Sequence, residues 1–218
     1  MLKITFFLLI KIAFKMKIIR LLSEMQAYSS KWDKNKKVSL IPTMGCLHNG
    51  HLSLIKSAKN NSDIVVVSIF INPMQFTDSD DFNKYPKSYH DDIKYCENME
   101  VDFIFIPESE DIIIDLDVCV YENKLSKLLC GKSRPGHFQG VCTIVLKLFN
   151  IVQPQIAIFG EKDLQQLRII QKMVLDLNIP INIISCPIHR ELDGLALSSR
   201  NKRLSLIHIS EPTRLHGI

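Results

Sequence analysis

Two histidines, His48 and His51, stand three residues apart in the stretch IPTMGCLHNGHLSL, residues 41–54, with Gly45 and Gly50 close by. An imidazole can ligate a metal, donate a hydrogen bond to phosphate or carry a proton near neutral pH. The spacing leaves three readings: half of a zinc site, a phosphate cradle, or turn residues ahead of a helix. Zinc takes four ligands from Cys, His, Asp and Glu, and no neighbour completes that set. The glycines permit close backbone approach, and Asn49-Gly50 is a turn signal. A helix starting near Gly50 would offer unpaired N–H groups and the positive end of its dipole to an anion. Position favours phosphate; surface histidines of no consequence stay open as the plain alternative.

Four other stretches carry polar groups that suit the same ligand. In INPMQF, residues 71–76, Asn72 and Gln75 are amides. In GKSRPGHFQG, residues 131–140, Lys132, Arg134 and His137 lie among glycines. In FGEKDLQQ, residues 159–166, Gly160 turns the chain, Lys162 brings charge and Asp163 can cap a helix. In RELDGLALSSRNKRL, residues 190–204, Ser198, Ser199 and Arg200 form a compact clamp for phosphate oxygens. Asp80, Asp81, Asp91 and Asp92 are carboxylates of the kind that help hold Mg²⁺, although acidic pairs also serve as plain solvated faces. Each of the other stretches likewise has a bland reading as a surface turn.

The elements that must position these groups are legible as alternating patterns. Apolar, β-branched runs at residues 38–41, 64–71, 101–106, 155–159 and 181–184 predict strands. A helix is expected at 52–58. Val141, Ile144, Val145, Leu148 and Val152 share one helical face, and Leu167, Ile170, Val174 and Leu177 share another. Strands alternating with helices imply right-handed crossovers and a doubly wound, parallel α/β sheet of Rossmann-like type. Ligands bind at the carboxyl ends of strands in such sheets. Four separate strand ends here carry glycine with basic or amide groups, which points to a nucleotide.

Bulk properties narrow the partners. The 218 residues carry 27 basic and 23 acidic side chains, a net charge of +4, with no basic run that would favour nucleic acid over a small anion. The 46% hydrophobic content suits a globular chain with a real core. Six scattered cysteines with no CxxC pair read as reduced thiols of a cytoplasmic protein. The apolar run at residues 4–10 is interrupted by Lys11 and Lys15 and falls short of the roughly 20 residues that span a bilayer. Either Met16 is the true start or residues 1–15 are a dispensable extension; a targeting segment is the minority reading. No membrane segment, internal repeat or low-complexity tract is expected.

Taken together, PTMGCLHNGH, FINPMQF, YPKS, GKSRPGHFQGV, KLFNIVQP, FGEKDLQQ and DGLALSSRN resemble the pantothenate synthetase family from about Met16 to Leu204. The resemblance places HNGH, residues 48–51, as the HxGH signature of the nucleotidyltransferases. It implies ATP-dependent condensation of pantoate with β-alanine through a pantoyl-adenylate, releasing AMP and pyrophosphate, with Mg²⁺ accompanying ATP. It implies that Met44, Gly45, Cys46, Leu47, His48, Asn49, Gly50 and His51 line the ATP site. His51 would be the proton donor, and His48 and Lys162 would join it on the phosphates. Gly160, Glu161, Lys162 and Asp163 would bind ATP, His189 would give a backbone contact to adenine, and Leu197, Ser198, Ser199 and Arg200 would close over the nucleotide. Gln75 would bind pantoate and then β-alanine, Gln166 pantoate, and Asn72, Arg134 and His137 would line the pantoate and pyrophosphate region. Asp91 and Asp92 are the expected metal ligands. A cytoplasmic homodimer is implied.

Two departures from the family pattern shape the expected domains. The stretch ESEDIIIDLDVCVYENKL, residues 108–125, lacks a Met-Tyr-Pro element, so a shortened loop is expected there. Residues 16–186 are expected to form the nucleotide-binding domain and residues 187–205 the truncated stub of a smaller C-terminal lid domain. Residues 206–218, LIHISEPTRLHGI, have no helical period and are expected to be non-native. Other readings of the whole chain are a different HxGH nucleotidyltransferase, or a nucleotide-binding remnant without turnover.

Overall fold

The computed structural model describes residues 16–203. The expectations for residues 1–15 and 206–218 lie outside that range. In chain order the elements are β1 (Lys17–Ile19), α1 (Leu22–Ser29), β2 (Val38–Thr43), α2 (Asn49–Asn61), β3 (Ile64–Ile69), α3 (Ser79–Asn83), α4 (Tyr89–Asn98), β4 (Phe103–Phe105), α5 (Ser109–Ile113), α6 (Leu129–Ser133), α7 (His137–Val152), β5 (Ile156–Gly160), α8 (Leu164–Asp176) and β6 (Asn182–Cys186). Short 3-10 turns occupy Pro73–Gln75, Leu125–Lys127, Glu161–Asp163 and Ser199–Arg203.

The strands form one sheet in the order β1-β4-β3-β2-β5-β6, with every neighbouring pair parallel. The five strands expected from apolar runs are all present. β1 was not foreseen: it is a three-residue edge strand paired only with β4, too short to show a period of two.

Alternation along the strands divides the core into two layers. Leu40, Val66, Phe105, Ala157 and Phe159 face the layer that holds α1, α7 and α8. Ile41, Val65, Val67, Ile104 and Ile158 face the layer that holds α2 and α4. Burial on both faces explains why these strands read as unbroken apolar runs. α7 is buried along most of its length. It ends where Gln153 turns left-handed (φ 52°) and its N–H closes on Phe149 O at 2.8 Å.

The winding reverses at β2, which has β3 on one side and β5 on the other. β2 stays in register with β3 from Val38 to Thr43, but pairs with β5 only at Ser39 and Leu40. Beyond Leu40 the β2 and β5 ends separate. Pro42 stands in that stretch, where its missing N–H costs no ladder bond. A crevice at the carboxyl ends follows from the topology. Among the described residues no helix is long and apolar enough to cross a membrane.

Candidate active site

The two histidines build the start of α2 themselves. His48 is its N-cap, and His48 Nδ1 accepts from Gly50 N at 3.2 Å. In return His51 Nδ1 accepts from His48 N at 3.3 Å. This is a capping box made of imidazoles. The rings lie 4.1 Å apart. A Cβ at Gly50 would sit 3.0 Å from His48 Nδ1, a contact that presses on the ring. Since Nδ1 of each ring accepts a backbone N–H, the neutral tautomer of each carries its proton on Nε2. Burial first, then the neighbouring His48 and Lys162, push the His51 pKa down to about 3. His51 is therefore neutral at pH 7, and its Nε2–H is a hydrogen-bond donor, not an acid.

The loop leading to His48 is clamped from several sides. Thr43 Oγ1 donates to Ser68 O at 2.8 Å and accepts from Gly45 N at 3.2 Å. Gly45 (φ 80°) and Cys46 (φ 53°) are both left-handed. Ser199 Oγ donates to Cys46 O at 3.0 Å. Asp92, from α4, accepts from Cys46 N at 2.9 Å and from Leu47 N at 2.7 Å. The sequence expectation gave Asp91 and Asp92 to a metal; the structure shows what each carboxylate touches. The Asp92 oxygens are spent on backbone N–H groups and on Ser88 Oγ (3.1 Å), and its residue is 1% exposed. Asp91 points instead to the surface beside His90. Among the described residues, no cluster of three or more His, Cys, Asp or Glu could hold a metal ion.

Across the crevice, the Pro73–Gln75 turn rests directly on α7. Asn72 caps it by accepting from Met74 N (3.1 Å), and Asn72 Nδ2 donates to Gly140 O (3.1 Å) and to Gln75 Oε1 (3.2 Å). Gln75 Nε2 lies 2.8 Å from Met44 Sδ, which ties this turn to the histidine loop. Gln75 O accepts from His137 Nδ1 at 2.7 Å and from Arg134 Nη2 at 3.1 Å. A carbonyl can only accept, so His137 carries its proton on Nδ1. Burial lowers the His137 pKa, which keeps that ring neutral. Arg134 and His137 thus hold the turn as well as facing the cavity.

The third wall comes from residues 187–203. Leu197 N donates to His189 O at 2.9 Å, and Arg190 and Ala196 form an antiparallel bridge, so this segment folds back on itself. Ser198 Oγ accepts from Arg200 N at 3.3 Å. Arg200 is engaged with Asp81 through Nη2 (2.8 Å) and Nε (3.5 Å), and its guanidinium lies 5.4 Å from the Tyr85 ring centre. Lys162 lines the same crevice, with Asp163 Oδ2 3.5 Å away.

One cavity at the β2–β5 crevice gathers most of the expected residues. Met44, His48, Gly50, His51, Asn72, Gln75, Arg134, His137, Gly160, Lys162, Asp163, Gln166, His189 and residues 197–200 line it. Gly45, Cys46, Leu47, Asn49 and Glu161 do not: the first three shape the loop, and Glu161 accepts from Ser185 Oγ at 2.8 Å. The sequence reading missed Thr43, Tyr85 and the apolar floor of Phe70, Val141, Ile144, Val145 and Leu148. Thr43 was findable by the strand-end rule. The floor was seen as a helix face, but nothing local said that the face borders a cavity.

Residues 17–217 match the family model described as pantoate-beta-alanine ligase. The chain belongs to the pantoate-β-alanine ligase family. The pantothenate synthetase of Thermosipho africanus strain TCF52B is 50% identical over 203 residues, covering 92% of this chain and 73% of the relative. That of Thermotoga petrophila is 53% identical over 192 residues, covering 87% and 69%. Among solved ligase structures, the Francisella tularensis enzyme complexed with beta-gamma ATP and beta-alanine is 42% identical at a TM-score of 0.85, covering 88% of this chain and 74% of that one. The pantothenate synthetase of Thermus thermophilus is 42% identical at 0.83, covering 88% and 69%. The chain thus spans about 70% of the length of these ligases.

Proposed function

We propose that this chain condenses pantoate with β-alanine at the β2–β5 crevice, using ATP and passing through a pantoyl-adenylate. The observation that carries the reading is the imidazole capping box at the start of α2, with a neutral His51 and with Lys162 lining the same cavity. Family membership and the ATP and β-alanine of the Francisella tularensis complex support it.

In the first step a pantoate carboxylate oxygen attacks the α-phosphorus of ATP, and the bond to pyrophosphate breaks. In the second, the β-alanine amine attacks the acyl carbon, AMP leaves and the amide forms with loss of a proton. No enzyme atom is bonded to substrate, so the rate must come from orientation and from donors aimed at developing charge. The Nε2–H groups of His48 and His51 supply such donors. The resemblance casts His51 as the proton donor; in this reading its Nε2–H gives the phosphates a hydrogen bond. Lys162 adds a positive charge on the phosphates. Gln75 and Gln166 would hold pantoate, with Asn72, Arg134 and His137 keeping the Gln75 turn in place. Residues 160–163 and 197–200, with His189, would hold the nucleotide. Magnesium enters, in this reading, on the nucleotide's phosphates, and no step depends on Asp91 or Asp92.

The unpaired state of all six cysteines fits a reducing cytoplasm. A homodimer belongs to the same reading, and sedimentation equilibrium tests it. Residues 16–186 as the nucleotide domain and 187–205 as the start of a lid complete it. The decisive test offers the purified chain ATP with pantoate, and separately CTP or ATP with phosphoester acceptors. Pantoate-dependent pyrophosphate release is expected; release only with a phosphoester acceptor would sink the reading.

A further inference from the structure

Asp92 does not line the cavity, yet it holds the loop from which both histidines start. A carboxylate that is 1% exposed is costly to bury unless its oxygens are satisfied. Here both oxygens are used: Oδ2 on Cys46 N, and Oδ1 on Leu47 N and Ser88 Oγ. These bonds lie one and two residues before the N-cap His48. They fasten a loop whose Cys46 is left-handed without being glycine, a conformation that costs on the order of 1 kcal/mol and persists only where the surroundings impose it. Gly45 fits the same arrangement, since a Cβ there would lie 3.0 Å from Asp92 Oδ2. The other side of the Cys46 peptide is held by Ser199 from the far wall.

We propose that Asp92 is a positioning residue for this site: by capturing the Cys46 and Leu47 N–H groups, it fixes the loop so that the His48 and His51 rings present Nε2–H to the cavity. The proposal rests on the adenylation reading for its kinetic consequence, but not for its structural one. Loosening the loop shifts the His48 N-cap, and with it the His48–His51 box that sets both tautomers.

The test is Asp92→Asn, which keeps the size but offers a donor where one backbone N–H needs an acceptor. The control is Asp102→Asn: Asp102 Oδ2 also accepts a buried backbone N–H, from Val65 at 2.8 Å, but away from the cavity. Each variant is assayed for pantoate-dependent AMP formation, and the histidine ring nitrogens are followed by ¹⁵N NMR at neutral pH. For Asp92→Asn, kcat falls by on the order of 10- to 100-fold beyond the control, the loss expected of a displacement near 1 Å. The His48 and His51 shifts also leave the pure Nε2–H pattern, while Asp102→Asn keeps it. Equal losses in the two variants with unchanged ring shifts would overturn the proposal. If Asp92→Asn does not fold, Ser88→Ala removes only the bond to Oδ1, and a several-fold loss with the same direction of shift is expected; unchanged shifts and rate would overturn it equally. If the unaltered chain forms no AMP, the adenylation reading falls, and the ring shifts still decide the role of Asp92.

Discussion

Gly140 offers the sharpest test of how the site is held. It lies on α7 under the Pro73–Gln75 turn, and a Cβ at this position would meet Met74 O at 2.4 Å and Met74 C at 2.5 Å. The obstacle is backbone on both sides, so no side chain can swing away. Restoring ordinary contact near 3.4 Å moves the turn off α7 by about 1 Å. That shift pulls on Asn72, which donates to Gly140 O, and on Gln75, whose carbonyl is held by His137 and Arg134. Overpacking costs about 1–3 kcal/mol, while alanine regains about 1 kcal/mol of helix propensity. Gly140→Ala should therefore lose only about 0–2 kcal/mol of stability. Misplacing a substrate-orienting amide by about 1 Å costs roughly 100-fold in rate, equivalent to about 2.7 kcal/mol of barrier. The assay pairs a urea melt with kcat/KM for pantoate-dependent AMP release. Near-normal kcat/KM in a folded Gly140→Ala chain would refute the idea that the α7–turn contact positions Gln75.

Three further outcomes are expected. Asp81→Asn releases Arg200 from its half-exposed ion pair, so equilibrium titration should show tighter ATP binding at nearly unchanged stability, since such pairs contribute about 0–1 kcal/mol. His51 has its folded pKa lowered to about 3, below its unfolded value of 6.5, so its contribution to stability is complete above pH 6.5 and is lost as pH falls toward 3. The unfolding free energy of His51→Gln, from denaturant melts, should accordingly fall less steeply over that window than that of the unaltered chain, by up to about 1.4 kcal/mol per pH unit. In native protein, a disulfide reagent should modify Cys119 and Cys130 quickly and the four buried thiols only on unfolding, with Cys96 and Cys142 further protected by thiol pKa values pushed up to about 12.

The sheet was legible because its strands are buried on both faces and therefore read as continuous apolar runs. The strand-end rule then led to His48, Gln75, Lys162 and Arg200, all of which line the cavity. β1 was invisible because three residues at an edge carry no period. The task of Asp92 was invisible for a different reason. It depends on a bond to residues 45 and 46 positions away, and a carboxylate in sequence does not say whether it faces magnesium, water or a peptide N–H. The protonation of His51 was equally hidden, since it arises from burial and from a ring and a lysine brought alongside by the fold.

The central claim is that the β2–β5 crevice transfers AMP onto a carboxylate. Pantoate labelled with ¹⁸O in its carboxyl group, incubated with the chain, ATP and β-alanine, tests it directly. Attack by the carboxylate on the α-phosphorus leaves one labelled oxygen bridging to the nucleotide. Its presence in the released AMP, seen by mass spectrometry, is the predicted result. Pantothenate formed with unlabelled AMP, or with ADP and phosphate in place of AMP, would contradict it.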